Sequence, residues 1–345
     1  MKTIYTAAHK LRNPKTELDG GQLIPPWETS ERAEIVRRRV ETVKLGQLLE
    51  PKDFGLEPLT RIHDAGYLQF IKNCWQDWQD EGNKGEAIPS VWPGRGMRQK
   101  IPAGVTGQLG YYSFAAETSI SGGTWEAAYA SVQVALTAAE LVLQGERAAF
   151  GLCRPPGHHA AGDYFGGYCF INNAAVAAQW FLDQGDEKVV ILDLDFHHGN
   201  GTQTIFYQRN DVHFFSLHGN PDLVFPHYLG FEDELGEGEG AGCNRNWVYQ
   251  PDTPFSEWQQ GLEQACQLID GGQFDRLIIS LGVDTFEEDP ISFFKLKSAD
   301  YLTIGQRLEQ LNLPTLFLLE GGYAVDDIGV NVCNVLNGFE GTRFP

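Results

Sequence analysis

Positive charge is what this chain is short of. Lys and Arg number 26 against 46 Asp and Glu, a formal net charge of −20. Phosphate recognition needs a basic surface, so the balance argues against nucleic acid as a partner. An acidic surface keeps a protein soluble, and it also draws in cationic ligands by long-range attraction. No apolar run is long enough to span a bilayer, which sets membrane insertion aside. The opening stretch MKTIYTAAHKLRN lacks the apolar core of a secretion signal. The six cysteines form no C-x-x-C pair, and a chain of 345 residues has no need of disulfides. We therefore read them as reduced thiols and expect a cytoplasmic protein. Internal repeats and low-complexity tracts are missing too.

What is present is a globular pattern, with 42% apolar residues, enough for a sizeable core. Helical spacing of apolar residues runs from Ala127 to Leu143, with Gly145 as the stop, and from Ala174 to Leu182, ended by Gly185. It recurs over Phe255–Ile269 and Ala299–Leu311. Val189–Leu194, Leu277–Leu281 and Leu316–Leu319 read as buried strands of a parallel sheet. Their alternation predicts a single α/β domain over residues 1–345, a central mostly parallel sheet flanked by helices. Residues 11–27 and 79–123 break the pattern, being rich in Gly and Pro, and in the second case in aromatics. Irregular stretches of that length are usually functional, and both are expected as long loops around the site.

Three segments carry chemistry. Asp195-Phe196-His197-His198 follows directly on the apolar run VVILDLD. Residues two apart on a strand share a face, so an extended backbone carried through this point aims Asp195 and His197 at one spot. In an open α/β sheet that spot is the crevice at the carboxyl ends of the strands. The run LIISLGVD delivers Asp284 to the same edge. Two carboxylates and one imidazole suit Zn²⁺ with an open fourth position. In Arg154-Pro155-Pro156-Gly157-His158-His159, tandem histidines sit in a loop of restricted shape. They offer further metal ligands or a proton-transfer pair, and with three ligands already assembled proton transfer is the better reading. Glu320-Gly321-Gly322-Tyr323 follows the run TLFLL, and a sharp turn there brings a phenol, a fitting oxyanion donor, toward the same edge.

Together the stretches CRPPGHHA, GGYCFINNAAVAAQ, ILDLDFHHGNGTQ, SLGVDTFEEDPISFF and EGGYAVDDIG resemble the zinc-dependent deacetylases of the arginase/histone-deacetylase superfamily. HKLRNPKTELDGG, LIPPWE, RIHDAGYL and GYYSFAAETSISGGTWEAA look closer still to its acetylpolyamine amidohydrolases, and the likeness covers nearly the whole chain. The resemblance implies the arginase/deacetylase fold and one zinc per chain held by Asp195, His197 and Asp284. It implies His159 as general base, His158 as electrostatic aid and later proton donor, and Tyr323 as the hydroxyl that polarises the scissile carbonyl. Asp193 would orient His158 and Asn200 would bond His159. Asn200 stands where the protein-deacetylase branch has Asp, and a neutral amide supports an imidazolium less than a carboxylate does. Gly167, Tyr168 and Phe225 would flank the acyl-amine chain. Asp193, Asp195, His197, Ser216 and Leu217 match a structural K⁺ site.

An arginase-like two-metal site would need further carboxylates where this chain has Gly199 and Phe286. The expected substrate is a small cationic acetylated polyamine (acetylputrescine, acetylcadaverine or acetylspermidine), with Glu17 and Glu117 at the channel mouth to meet its ammonium. The alternative is an acetyl-lysine deacetylase acting on proteins. The resemblance, and the aromatics Trp92, Tyr111, Tyr112 and Phe114, also imply a homodimer through residues 79–123.

Overall fold

The computed structural model describes residues 1–341. Its strands in chain order are β1 (Lys2–Ile4), β2 (Glu17–Asp19), β3 (Gln22–Ile24), β4 (Leu48–Leu49), β5 (Ala148–Gly151), β6 (Val189–Asp193), β7 (Val212–Gly219), β8 (Asn244–Tyr249), β9 (Arg276–Leu281) and β10 (Thr315–Leu319). Eight of them form one sheet in the order β4-β1-β5-β10-β9-β6-β7-β8. Every pairing in it is parallel. The central strands β5, β6, β9 and β10 are almost wholly buried, which explains their unbroken apolar runs.

Helices cover both faces of the sheet. Thr124–Leu143 and Asn173–Asp183 pack Val134, Ala138, Ala174 and Phe181 against Ile191, Ile278 and Leu316 on one side. Phe255–Gly271, Ser298–Glu309 and Ile328–Glu340 pack Trp258, Ile304 and Val332 against Leu192, Ile279 and Phe317 on the other. Asn172 starts its helix as a cap, its side chain accepting the N–H of Ala175 at 2.9 Å. The helix and strand boundaries read from periodicity fall within a few residues of these.

The two expected loops differ from the reading. Residues 11–27 hold an antiparallel hairpin, β2 with β3, turning at Gly20-Gly21. Within 79–123, a helix ends at Asp80 and another spans Val105–Tyr112, leaving 81–104 and 113–123 irregular. Tyr112 is core, its ring stacked on Phe70 at 4.8 Å. Trp92 donates its indole N–H to Ser113, and Phe114 faces Phe225 at 5.3 Å. So most of these aromatics are committed internally. The exposed apolar groups of the segment are Val91, Met97 and Ile101.

Candidate active site

Parallel strands deliver their carboxyl ends to one edge, and the chemistry-bearing residues follow from that edge. β6 ends at Asp193, so Asp195 and His197 lie in the turn beyond it and not on an extended strand as the two-residue spacing assumed. They converge because the turn folds on itself. Asp195 Oδ1 accepts the N–H of His197 at 2.9 Å. Its Oδ2 accepts the N–H of Gly321 at 2.8 Å, and Asp284 Oδ1 accepts the N–H of Phe196. His197 Nδ1 then stands 3.0 Å from Asp284 Oδ2 and 3.4 Å from Asp195 Oδ1. All three ligand atoms lie within 4.8 Å of one another, on buried residues. A Cβ at Gly321 would come within 2.5 Å of Asp284 Oδ2, so only glycine leaves this cradle open.

Electrostatics shows what the trio lacks. Burial and then the charge of Asp195 push the Asp284 carboxyl up to about 8, while His197 and His158 help hold Asp195 far below the usual range against its burial. Burial works against a charged His197, but the two carboxylates raise its imidazole to about 9. Two buried carboxylates that cannot both ionise without a partner are suited to a divalent cation. A donor set of two carboxylates and one imidazole, with one side open to a pocket, fits zinc.

The tandem histidines stand beside the trio, rings 4.0 Å apart. His158 Nδ1 pairs with Asp193 Oδ2 at 3.0 Å. Burial opposes its protonation, yet Asp195, Asp193 and Glu320 raise it to about 10, so the proton resides on the imidazole. His159 Nδ1 meets Asn200 Oδ1 at 2.7 Å. An amide oxygen only accepts, so Nδ1 carries the hydrogen and Nε2 keeps its lone pair. Burial first, and then the neighbouring His158 and His197, hold His159 well below its ordinary value, and it is neutral. The pair is thus poised as one acid and one base.

Tyr323 faces the same space, its phenol pushed well above its ordinary value by burial. Its ring lies under the Arg32 guanidinium at 4.6 Å and edge-on to Tyr168 at 5.8 Å. Arg32 donates to the carbonyls of Gly322 and Glu320 and to Glu28. Arg154 grips the other side of Glu28 and the carbonyls of His9 and Arg12. Glu320 accepts from the N–H groups of Gly157 and His158. Arg32, Glu28 and Asp289 were given no role from sequence, and Arg154 and Glu320 were quoted only as motif letters.

A cavity of about 280 Å³ opens from this group. His159, His197 and Tyr323 line it with Gly167, Tyr168 and Phe225, as expected. A Cβ at Gly167, where φ is +56°, would fall 2.1 Å from the His159 ring. Glu17, Glu117, Asp19 and Trp27 line the same cavity. Glu17 is spent on structure, its oxygens accepting from Trp27 N–H and the Tyr168 hydroxyl. Glu117 uses Oε1 for Gly167 N–H at 2.7 Å and for the Thr118 hydroxyl. Burial raises the pKa of both. Ser216 lies outside the cavity, beside Asp193 in the β6–β7 register, with Leu217 next to it. At Gly199, where an arginase-like two-metal site would need a carboxylate, a Cβ would meet Asp193 Oδ2 at 2.3 Å. His158, Cys169 and Glu320 form another close trio, but Asp193 and two backbone N–H groups already engage it.

Residues 26–339 match the histone deacetylase domain family. The chain is 53% identical over 343 residues to acetylpolyamine amidohydrolase 1 of Pseudomonas aeruginosa, covering 99% of each. It is 52% identical over 341 residues to the acetylpolyamine amidohydrolase of Mycoplana ramosa, covering 99% of this chain and 100% of that one. A crystal structure of acetylpolyamine aminohydrolase from Burkholderia pseudomallei superimposes with a TM-score of 0.93, at 35% identity and 98% coverage of both chains. Among the described residues no helix is long and apolar enough to cross a membrane.

Proposed function

Because the chain belongs to the histone deacetylase family, whose members are amidohydrolases of linear amides and characteristically use zinc, we propose that it hydrolyses the acetyl amide of acetylated polyamines, releasing acetate and the free amine. The observation that carries this reading is one cavity that joins His197, His159 and Tyr323 to the acidic side chains Glu17, Asp19 and Glu117. Acetylputrescine, acetylcadaverine and acetylspermidine are slender chains ending in ammonium groups, and the acidic lining of that cavity suits their charge. The alternative, a protein acetyl-lysine deacetylase, shares the chemistry and differs at the mouth.

Asp195, His197 and Asp284 would hold one zinc ion per chain. When bound, zinc supplies Lewis acidity, making water nucleophilic near neutral pH and polarising the amide carbonyl. His159 takes the proton of the attacking water at Nε2, the nitrogen that Asn200 leaves free. The Tyr323 hydroxyl donates to the amide oxygen as negative charge builds there. His158, kept cationic by Asp195 and Asp193, hands its proton to the departing amine. Tyr168 and Phe225 hold the chain between aromatic faces and exclude water. Asp193, Asp195, His197, Ser216 and Leu217 would take a structural K⁺, the buried Asp193 carboxylate supplying the negative charge.

We read the assembly as a homodimer through residues 79–123, now on the motive of Val91, Met97 and Ile101, which are 55%, 62% and 46% exposed. The test of the function is turnover of acetylputrescine by the metal-loaded enzyme, with acetate and putrescine in equal amounts. No turnover of any acetylated polyamine contradicts it.

A further inference from the structure

Tyr323 sits on the turn Glu320–Ala324, which belongs to no helix or strand. A turn has no ladder to fix a phenol to a fraction of an ångström, and a misplacement of about 1 Å can cost roughly 10²-fold in rate. Arg32 and Tyr168 restrain the ring. Arg32 holds the carbonyls of Glu320 and Gly322 and Asp195 holds the N–H of Gly321, while the next two N–H groups of the turn both end on one further side chain. Asp289 Oδ2 accepts from the N–H of Tyr323 at 2.7 Å and from that of Ala324 at 3.2 Å. Asp289 Oδ1 accepts from the N–H of Ile291 at 3.2 Å. Ile291 lines the same cavity as Tyr323.

Asp289 is 6% exposed and is not one of the three convergent metal-ligand candidates. Its own N–H donates to the Phe286 carbonyl, which fixes the loop it stands on. That loop is anchored further back by the Tyr301 hydroxyl, which donates to the Val283 carbonyl. Three backbone donors from two segments therefore end on one carboxylate. No amide can copy this, because it has one accepting oxygen and would turn an NH₂ toward an N–H.

Resting on the reading of Tyr323 as oxyanion donor, we propose that Asp289 is a positioning residue. Its carboxylate joins the Tyr323 turn to the Ile291 wall and so sets where the phenol hydroxyl stands against the scissile carbonyl. An isosteric amide leaves the volume filled and the metal ligands untouched, but it releases one side of the clamp. The phenol then samples positions from which it cannot donate well. The loss must act through Tyr323, and this separates positioning from mere support of the fold.

The experiment is a double-mutant cycle on the full-length, metal-loaded enzyme, with acetylputrescine as substrate. Asp289→Asn should lower kcat by about 10- to 100-fold, within the range set by misplacement of a reacting group. KM should change by less than about 2-fold and metal content should stay at the wild-type value, the split expected when only a transition-state contact is lost. In a Tyr323→Phe background the same substitution should lower the residual kcat by less than about 2-fold, because the group it positions is gone. An equal loss in both backgrounds overturns the proposal, as does a normal kcat for Asp289→Asn. If that variant melts below the assay temperature, Asp289→Glu carries the test. The longer carboxylate keeps the acceptors but shifts the Tyr323 amide, so kcat must again fall only when Tyr323 is present. A Tyr323→Phe enzyme with normal kcat overturns instead the reading of Tyr323, and it does so with Asp289 unchanged.

Discussion

Glu117→Gln tests whether the Glu117 charge selects the proposed substrate. Glu117 Oε1 is held by Gly167 N–H and the Thr118 hydroxyl, while Oε2 takes no protein hydrogen bond among the described residues. Glu17 has both oxygens engaged, so Glu117 is the better partner for an ammonium. Two unit charges about 4 Å apart interact by roughly 4 kcal/mol at an effective dielectric of 20, and exposed pairs by about 0–1 kcal/mol. Glu117 is half-buried in a cavity open to water. An intermediate figure of about 1–2 kcal/mol follows, which is roughly 5- to 30-fold in kcat/KM. The assay compares acetylputrescine with N-pentylacetamide, a neutral chain of matching length. Glu117→Gln should lower kcat/KM for the cation by that factor and leave the neutral amide within about 2-fold. Glu117 also has its pKa raised, by burial first. The sign is that the empty protein gains protons there, so the carboxyl favours the fold at low pH and loses that contribution as pH rises through its folded value. A bound ammonium favours the ionised form, so KM for acetylputrescine should rise as pH falls, and the Gln variant should lose that dependence. Equal losses on both substrates, or an unchanged pH dependence, refute the assignment.

Tyr323→Phe should lose roughly 10²- to 10³-fold in kcat with metal content intact, and a normal kcat would mean that the ring merely packs under Arg32. Metal analysis should give one tightly held transition metal per chain, and two at the site would favour the arginase-like reading. Chelated protein should lose stability as pH rises from about 7 to about 9, above the range in which the buried histidines titrate in the unfolded chain. Asp284 and His197 are raised to about 8 and about 9 in the metal-free fold, so these two groups hold protons there that the unfolded chain has released. The gap in Tm between loaded and chelated enzyme should widen accordingly, and a constant gap contradicts the electrostatic picture. Light scattering at micromolar concentration should give a dimer that Met97→Asp with Ile101→Asp converts to monomer, and a monomeric wild type removes the interface.

The strand-end chemistry was legible because parallel strands read as unbroken apolar runs and their carboxyl ends share one edge. Asp195, His197, Asp284 and Tyr323 each follow such a run directly. The detail that failed was local: β6 stops at Asp193, and hydrogen bonds in the turn bring Asp195 and His197 together, not the alternation of a strand. The helix Val105–Tyr112 was invisible because VTGQLGYY carries two glycines and weak periodicity, and it is held by packing of Leu109 and Tyr112. Arg32 and Asp289 were missed for another reason. Their partners are 290 and 34 residues away and are mostly backbone atoms, which leave no mark in the sequence. Glu17, read as a substrate carboxylate by its place in the chain, does line the cavity, and its bonds to Tyr168 and Trp27 could not be foreseen from sequence.

The central claim is that this cavity deacetylates a small cationic amine. The direct measurement is kcat/KM for acetylputrescine, acetylcadaverine and acetylspermidine against an acetyl-lysine peptide, at low and high salt. At least one polyamine should exceed the peptide, and its advantage should shrink as salt screens the acidic mouth over a Debye length of about 10 Å at 0.1 M. A peptide that outperforms every polyamine at both salt concentrations contradicts the claim and makes the chain a protein deacetylase.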